Sequence, residues 1–176
     1  MLDDAGYGDF GAFGSPYVKT PNFDRLCAEG MTFTNHYSGS AVCAPTRCVL
    51  MTGLHTGHCR RRDNTAKALT EELSAKNGRP LVFLEDSDVT VAEALHDAGY
   101  FTAGVGKWGL GNPGSAGVPE KQGFDYWYGY LDQVHAHDHF PDEIWDGGKM
   151  VSVVGNQNKK KETNIPYEQE RKTLEL

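Results

Sequence analysis

The strongest chemical pattern in the sequence is CAPTR at residues 43–47. Proline just inside this stretch and Gly53 just past it predict a short helix that begins at Cys43. Arg47 then lies one turn further on, on the same face as the cysteine. Free amide donors at a helix N-terminus and a guanidinium group one turn away predict an anion site that suits a sulfate-sized ligand. Taken alone, the pentapeptide is also compatible with a second interpretation, in which Cys43 is a buried thiol and Arg47 is a surface residue.

Three charged residues add to an ionic site of this kind. Asp3 and Asp4 are adjacent carboxylates, which repel each other unless a cation neutralises them, and oxygen ligands suit a hard divalent ion such as calcium. The alternative is a pair of solvated turn aspartates. Lys107 follows a predicted strand, where it is either an anion-binding lysine or a surface lysine.

Histidines form a second group of candidates. His135, His137 and His139 alternate along the chain. Alternating histidines on one strand face are able to bind a transition metal, but no nearby cysteine completes a tetrahedral zinc site. Substrate contact and simple exposure are the alternatives for them. His58 is a further candidate for a substrate pocket, with packing as its alternative.

A basic run and an aromatic-rich stretch are each open to two interpretations. Arg60, Arg61 and Arg62 either draw in an anionic substrate or belong to a solvated loop. Five aromatic residues either stack on a sugar or aryl ring or pack in the core; they are Trp108, Tyr126, Trp127, Tyr128 and Tyr130.

The elements that must position these side chains follow from local patterns. Thr20 and Pro21 begin a predicted helix that stops at Gly30, and a capping box at Thr90 begins another that stops at Gly99. Alternating apolar residues predict a strand over 31–37, and residues 100–105 are typical of a buried strand. Alternating helices and strands predict an α/β fold with a doubly wound, mostly parallel sheet.

Composition narrows the class of protein. The 176 residues fit one domain with a substantial core, and the net charge of −7 argues against nonspecific nucleic-acid binding. No apolar run approaches the roughly 20 residues of a membrane span. Residues 60–80 are predicted to be polar and loop-rich with one short helix, and the charged end of the chain, residues 159–176, to be a solvated tail. Asp3 and Asp4 stand where such a fold has just finished a strand, which predicts a truncated N-terminus.

Five ordered blocks of the sequence resemble the formylglycine-dependent sulfatase family. They are DDAGYGD (3–9), TPNFDRL (20–26), CAPTR (43–47), GKWGLG (106–111) and GFD (123–125). The resemblance implies an alkaline-phosphatase-like α/β fold that is incomplete in this chain. Residues 1–150 are then expected to form the N-terminal part of the catalytic domain, and 151–176 a polar, truncated continuation. The family's downstream metal ligands have no match after Gly155.

The resemblance also implies a mechanism. A formylglycine-generating enzyme oxidises Cys43 to an aldehyde, whose hydrate attacks the sulfur of a sulfate ester and later expels sulfate. Asp3, Asp4 and the converted Cys43 hold one Ca²⁺ ion, Arg47 steadies the aldehyde, and Lys107 binds sulfate oxygens. His135, His137 and His58 are the expected substrate contacts. The expected substrate is a sulfated carbohydrate or an aryl sulfate, and the expected location is extracytoplasmic.

One position departs from the family pattern. Many members have histidine two residues after the lysine that corresponds to Lys107, where this chain has Gly109. Another group must therefore protonate the leaving group or deprotonate the hydroxyl, and His135, His137 and His139 are the candidates. Two other functions remain open: hydrolysis of phosphonate or phosphate esters with the same aldehyde, and a noncatalytic sulfatase-like fragment.

Overall fold

The computed structural model of the protein describes residues 1–64 and 82–156. Its described α-helices lie where local patterns predict them: α1 (Pro21–Glu29), α2 (Cys43–Thr52) and α3 (Val91–Asp97). Proline occupies the first turn of α1, and Gly53 takes a left-handed conformation (φ 68°) directly after α2. These three predictions are confirmed. The short helix predicted within 60–80 and the tail interpretation of 159–176 lie wholly or largely outside the described residues.

A four-stranded sheet follows the helices in the chain. Its strands lie side by side in sequence order and are β1 (Ala103–Lys107), β2 (Tyr126–Tyr130), β3 (Glu143–Asp146) and β4 (Lys149–Ser152). β1 and β2 are parallel, whereas the β2–β3 and β3–β4 pairs are antiparallel. The described part of the sheet is therefore mixed, and its parallel pair holds the strand that ends at Lys107.

Two strand predictions differ from the structure. Residues 31–37 form no strand, and Met31, Phe33 and Tyr37 are largely exposed. A strand needs a neighbour for its backbone N–H and C=O groups, and none of the described strands pairs with this segment. The buried strand predicted over 100–105 lies instead at β1, and Val105 in it is 78% exposed.

Trp127, a residue of β2, belongs to the buried core. It packs edge-on against Trp108 and Phe124, with ring centroids 5.1 and 5.0 Å apart. Gly104 is its partner in the parallel register, and a Cβ at that position would lie 2.2 Å from the Trp127 ring. Glycine in β1 therefore lets this indole lie against the strand. The remaining buried members of the core are Cys48, Cys59, Leu84, Leu110, Val118, Leu131 and Trp145.

Candidate active site

Arg47 connects three parts of the chain. It lies in the middle of α2, its Nη2 donates a hydrogen bond to Asp3 Oδ1 at 2.9 Å, and its Nη1 donates to the carbonyl of Lys107. The arginine side chain is 13% exposed. Because a planar guanidinium has donors in fixed directions, Arg47 fixes the N-terminal loop against α2 and the end of β1.

The second carboxylate oxygen of Asp3 pairs with the ammonium group of Lys107. The Lys107 side chain is 11% exposed, so this cation lies largely out of water. Partial burial acts to raise the pKa of Asp3, but the hydrogen bonds and charges of Lys107 and Arg47 outweigh it and lower the pKa. Asp3 therefore stays ionised, with one cation on each oxygen.

Asp4 turns the chain immediately after Asp3. Its φ of +50° lies in the left-handed region, and it is the only described non-glycine residue with a positive φ. Aspartate tolerates this conformation better than most residues because its short polar side chain makes local hydrogen bonds. The turn lets both carboxylates border one cavity.

Cys43 is the first residue of α2, and two amide side chains contact its thiol. Cys43 Sγ donates to Gln133 Oε1 at 3.1 Å, and Asn64 Nδ2 donates to Sγ at 3.1 Å. Asn64 also accepts the free backbone N–H of Ala44 at 2.9 Å, which satisfies one of the open donors at the helix N-terminus. The thiol is therefore held from two sides.

Neither amide partner was predicted from the sequence. Gln133 lies three residues past β2, and the carboxyl ends of parallel strands are a known place for functional groups, which is a signal that could have found it. Asn64 follows the basic run in a loop and has no such signal. Their contacts with Cys43 span 90 and 21 residues of sequence.

A cavity of about 950 Å³ opens beside these residues. Asp3, Asp4 and Cys43 border it together, as do Thr46 and His36. Its size matches the range of small-molecule sites. The structure thus brings the predicted carboxylate pair and the predicted nucleophile to one cavity.

The predicted histidines lie elsewhere. His58 is exposed, and neither it nor His135 or His137 borders this cavity. Residues 135–137 form a 3-10 helix instead of a strand, so histidines on one strand face are not available for zinc. His135 packs edge-on against Tyr130, with centroids 5.2 Å apart.

The basic run does not form one exposed patch. Arg60 pairs with Asp88 and Glu85, whereas Arg61 is 4% exposed and donates to the carbonyl of Val82. Burial lowers the pKa of Arg61 although neighbouring acidic groups oppose this. Arg62 is the exposed member of the three.

The aromatic stretch divides between the two interpretations. Trp108 and Trp127 are core residues, with 2% and 6% of their surface exposed. Tyr126 and Tyr128 are each 38% exposed. Tyr130 is half-buried and donates a hydrogen bond to the carbonyl of Asp138 at 3.0 Å. The tryptophans are therefore unavailable for ring stacking with a ligand, whereas two tyrosines face solvent.

The other buried cysteines are poor nucleophiles. Cys48 and Cys59 are fully buried in the core, and burial raises the pKa of the Cys48 thiol to about 11. Cys43 is the partly exposed thiol at the cavity. Reactive chemistry at a cysteine of this cavity is therefore assigned to Cys43.

The donor set at Asp3 and Asp4 fits a hard cation in chemistry, because carboxylate oxygens are the ligands that Ca²⁺ prefers. Within residues 1–64 and 82–156, no three His, Cys, Asp or Glu side chains converge into a metal site. Calcium takes about six to eight oxygen ligands. The two aspartates would therefore supply part of a coordination shell.

A sequence model of the family described as Sulfatase matches residues 1–162 of the chain. N-acetylgalactosamine-6-sulfatase of Homo sapiens is 39% identical over 132 residues, which cover 73% of this chain and 24% of that protein. Arylsulfatase A of Homo sapiens is 38% identical over 142 residues, which cover 80% and 25%. The chain thus spans about a quarter of the length of these curated relatives.

The fold is also similar to a solved structure whose description concerns the metabolism of multiple glycosaminoglycans by Bacteroides thetaiotaomicron. The TM-score is 0.64 at 34% identity, and the match covers 85% of this chain and 30% of that one. This similarity confirms the predicted α/β fold class of the alkaline-phosphatase type. No helix in the described part of the chain has the length and apolar character needed to cross a bilayer.

Proposed function

Because this chain belongs to the sulfatase family, we propose that the complete protein hydrolyses sulfate esters with an aldehyde formed from Cys43. Residues 1–150 would supply the N-terminal part of its catalytic domain. The observation that carries the proposal is the shared cavity: Cys43 borders it together with Asp3, and Asp3 holds both Arg47 and Lys107. A nucleophile position, an acidic group and two cations therefore lie together.

Residue 43 would carry the nucleophile. A hydrated aldehyde there would supply an oxygen nucleophile that is able to eliminate its own ester, which a thiol is not. The first turn of α2 carries this residue, and the Asn64 and Gln133 amides fix its direction. Its position at the N-terminus of α2 favours an anion beside it, because the partial charge of the helix is positive there.

Lys107 and Arg47 would bind and stabilise the sulfate group. Both are largely buried, and charges in a water-poor site act more strongly than in solvent. The Lys107 ammonium would contact sulfate oxygens as negative charge develops on them. Arg47 would hold residue 43 and Asp3 in place, since its guanidinium already joins α2, Asp3 and the end of β1.

Asp3, Asp4 and the converted residue 43 would hold one Ca²⁺ ion, with further ligands from other groups. Such an ion would supply positive charge that polarises a sulfate ester. The two carboxylates have the oxygen chemistry for it, and both border the cavity. In the structure described here, Lys107 and Arg47 neutralise Asp3.

The proposed substrate is a sulfated carbohydrate or an aryl sulfate. The two human relatives carry these substrate classes in their names. The cavity of about 950 Å³ has room for a sugar ring beside the sulfate. His135, His137 and His58 remain proposed contacts for more distant parts of the substrate, whereas His36 borders the cavity itself.

Two further proposals follow from the family. A formylglycine-generating enzyme would be the maturation partner, because the proposed chemistry requires an aldehyde at residue 43. The location would be extracytoplasmic, which is the habit of the family.

The proposal is tested by two measurements on the complete protein coexpressed with a formylglycine-generating enzyme. Peptide mass analysis should show a loss of about 18 Da at Cys43, the change from thiol to aldehyde. Cys27, a half-buried cysteine in the same digest, should stay unmodified and is the matched control. The matured protein should then hydrolyse sulfate esters faster than phosphonate esters.

Each measurement has an outcome that would contradict the proposal. An unmodified Cys43 in a chain that the maturation enzyme reaches would favour the noncatalytic fragment. A converted protein that prefers phosphonate esters would move it to the sister activity. A converted protein that cleaves neither ester would exclude both hydrolase functions.

A further inference from the structure

The parallel pairing of the sheet continues past the ends of β1 and β2. The backbone N–H of Trp108 donates to the carbonyl of Tyr130 at 2.8 Å. The backbone N–H of Gly109 donates to the carbonyl of Leu131 at 3.0 Å. Gly109 therefore lies alongside the segment that leads to Gln133. This register brings the Gln133 side chain to the end of β1, next to the cavity that holds Cys43.

Gly109 leaves a space that the Gln133 amide fills. A Cβ at residue 109 would lie 2.2 Å from Gln133 Nε2, which is closer than any real contact of a Cβ atom. Gly109 also has a φ of +77°, in the region that favours glycine. A side chain at 109 and the present position of Gln133 thus exclude each other.

Only one of the two polar atoms of the Gln133 side chain has a hydrogen-bond partner in the described part of the chain. Gln133 is 6% exposed, and its Oε1 accepts a hydrogen bond from the Cys43 thiol at 3.1 Å. Its Nε2 is buried and has no acceptor in the part of the chain that the structure describes. Unpaired buried donors are rare in folded proteins, and each requires an explanation.

The space around the amide is small. A cavity of about 10 Å³ is bordered by Gly109, Gln133, Arg61 and Asp132, which is the lower limit of the room that a single water molecule needs. An imidazole from the 135–139 segment has no room there. The group beside residue 43 at this position is therefore the carboxamide.

We propose that Gln133 is the positioning residue for the aldehyde at residue 43, in the space that a side chain at 109 would take. This inference rests on the proposed function. The hydrated aldehyde carries two hydroxyl groups: one donates to Oε1, and the oxygen of the other accepts from Nε2. The thiol offers one atom and leaves Nε2 unpaired, whereas the hydrate satisfies both halves of the amide. Because a carboxamide does not titrate, Gln133 orients the hydroxyls and takes no proton from them.

The experiment measures the state of the aldehyde directly. The complete protein, coexpressed with a formylglycine-generating enzyme, is prepared as wild type, Gln133→Leu and Gln133→Glu. An aminooxy reagent condenses with the free aldehyde but not with its hydrate, and labelling at residue 43 is followed by peptide mass analysis. Gln133→Leu should label about fivefold to thirtyfold faster, the effect of one or two net hydrogen bonds on the hydrate. Gln133→Glu keeps the acceptor and the size, so its labelling should stay closer to wild type.

Gln122→Leu is the matched control. Gln122 is a second buried glutamine in the described part of the chain, and its amide donates to the carbonyls of Ala116 and Glu85. The same side-chain change there should leave labelling unchanged. If Gln133→Leu does not fold, Gly109→Ala replaces it, since the new Cβ would displace the Gln133 amide and should also speed labelling.

The outcomes separate this inference from the proposed function. Equal labelling rates in wild type and the position-133 variants would overturn the role of Gln133. Faster labelling of Gln133→Leu together with unchanged kcat and KM would also overturn it, because positioning must act on the reaction. A lower kcat with little change in KM supports it. A wild type that labels slowly but hydrolyses no ester would refute the proposed function and leave the contact with Gln133 standing.

Discussion

The ammonium group of Lys107 forms an ion pair with the carboxylate of Asp3 and so joins the end of β1 to the N-terminal loop. The lysine is more deeply buried than the aspartate, with 11% against 35% of the side chain exposed. Arg47 takes the other oxygen of the same carboxylate. Removal of Asp3 would therefore leave the largely buried ammonium group of Lys107 without its counter-ion.

Replacement of this lysine tests its role with the sulfate group. Lys107→Ala should lower kcat of the matured protein by about a hundredfold to a thousandfold, the usual loss when one group that stabilises transition-state charge is removed. Steady-state kinetics with an aryl sulfate measures it. Lys121→Ala, at an exposed lysine in the 3-10 helix Pro119–Lys121, is the control and should leave kcat unchanged. A Lys107→Ala protein with full kcat would exclude a catalytic role for this lysine.

Calcium removal should destabilise the complete protein. Binding at 100 times the dissociation constant adds about 2.7 kcal/mol to the free energy of unfolding, so a chelator should lower Tm and added Ca²⁺ should restore it. Asp3→Asn and Asp4→Asn should weaken this response, because each removes a carboxylate at the cavity. Differential scanning calorimetry measures the change. Asp97→Asn, at the exposed end of α3, should respond like wild type, and an equal response in all four proteins would place the ion elsewhere.

The start of α3 is predicted to be a sensitive point for stability. Thr90 is 2% exposed; its hydroxyl accepts from the backbone N–H of Glu93 and donates to the carbonyl of Gln122 at 2.7 Å. Thr90→Ala should lower the free energy of unfolding by about 2 kcal/mol, since it removes a helix cap and leaves a buried carbonyl unpaired. Urea denaturation measures the loss. Thr90→Ser keeps the hydroxyl and should lose much less; similar losses in both variants would contradict the role of the hydrogen bonds.

Acid should destabilise the protein partly through Asp125. The backbone N–H of Thr102 donates to its carboxylate at 2.7 Å and lowers its pKa; partial burial opposes this, while the Thr102 hydroxyl and His96 add to the lowering. A lowered folded-state pKa means that this stabilisation is present above the unfolded-state value, near pH 4, and is lost as pH falls through the folded-state value. Urea midpoints measured from about pH 6 to pH 2 should therefore fall less steeply in Asp125→Asn than in wild type. Parallel curves would contradict the assignment.

The helices could be predicted because their signals are local. Pro21, Thr90 and Gly53 mark helix ends through their own backbone preferences and caps, and the structure has helix ends at these points. The strand predicted over 31–37 was wrong for the opposite reason. Alternation of apolar residues shows which side chains share a face, but a strand exists only where another strand accepts its backbone hydrogen bonds.

Part of the site was predictable in the same way. The order of the Asp3, Cys43 and Lys107 motifs indicated the sulfatase family, and the matches to curated sulfatases confirm that membership. The histidines at 135–139 were natural candidates to compensate for Gly109, because imidazole has the chemistry for proton transfer. In the structure, the space beside Gly109 holds Gln133 instead.

The sequence by itself determined the family, the helix that begins at Cys43, and the charged residues available for the proposed sulfate site. These depend on residue types at short and fixed spacings, which local backbone preferences turn into structure. Only the tertiary structure decided which amides touch the Cys43 thiol. Gln133 reaches it across 90 residues because β1 and β2 pair in parallel and continue their register past their ends. Strand pairing at that distance is set by the packing of the whole sheet, and no local pattern shows which two residues it brings into contact.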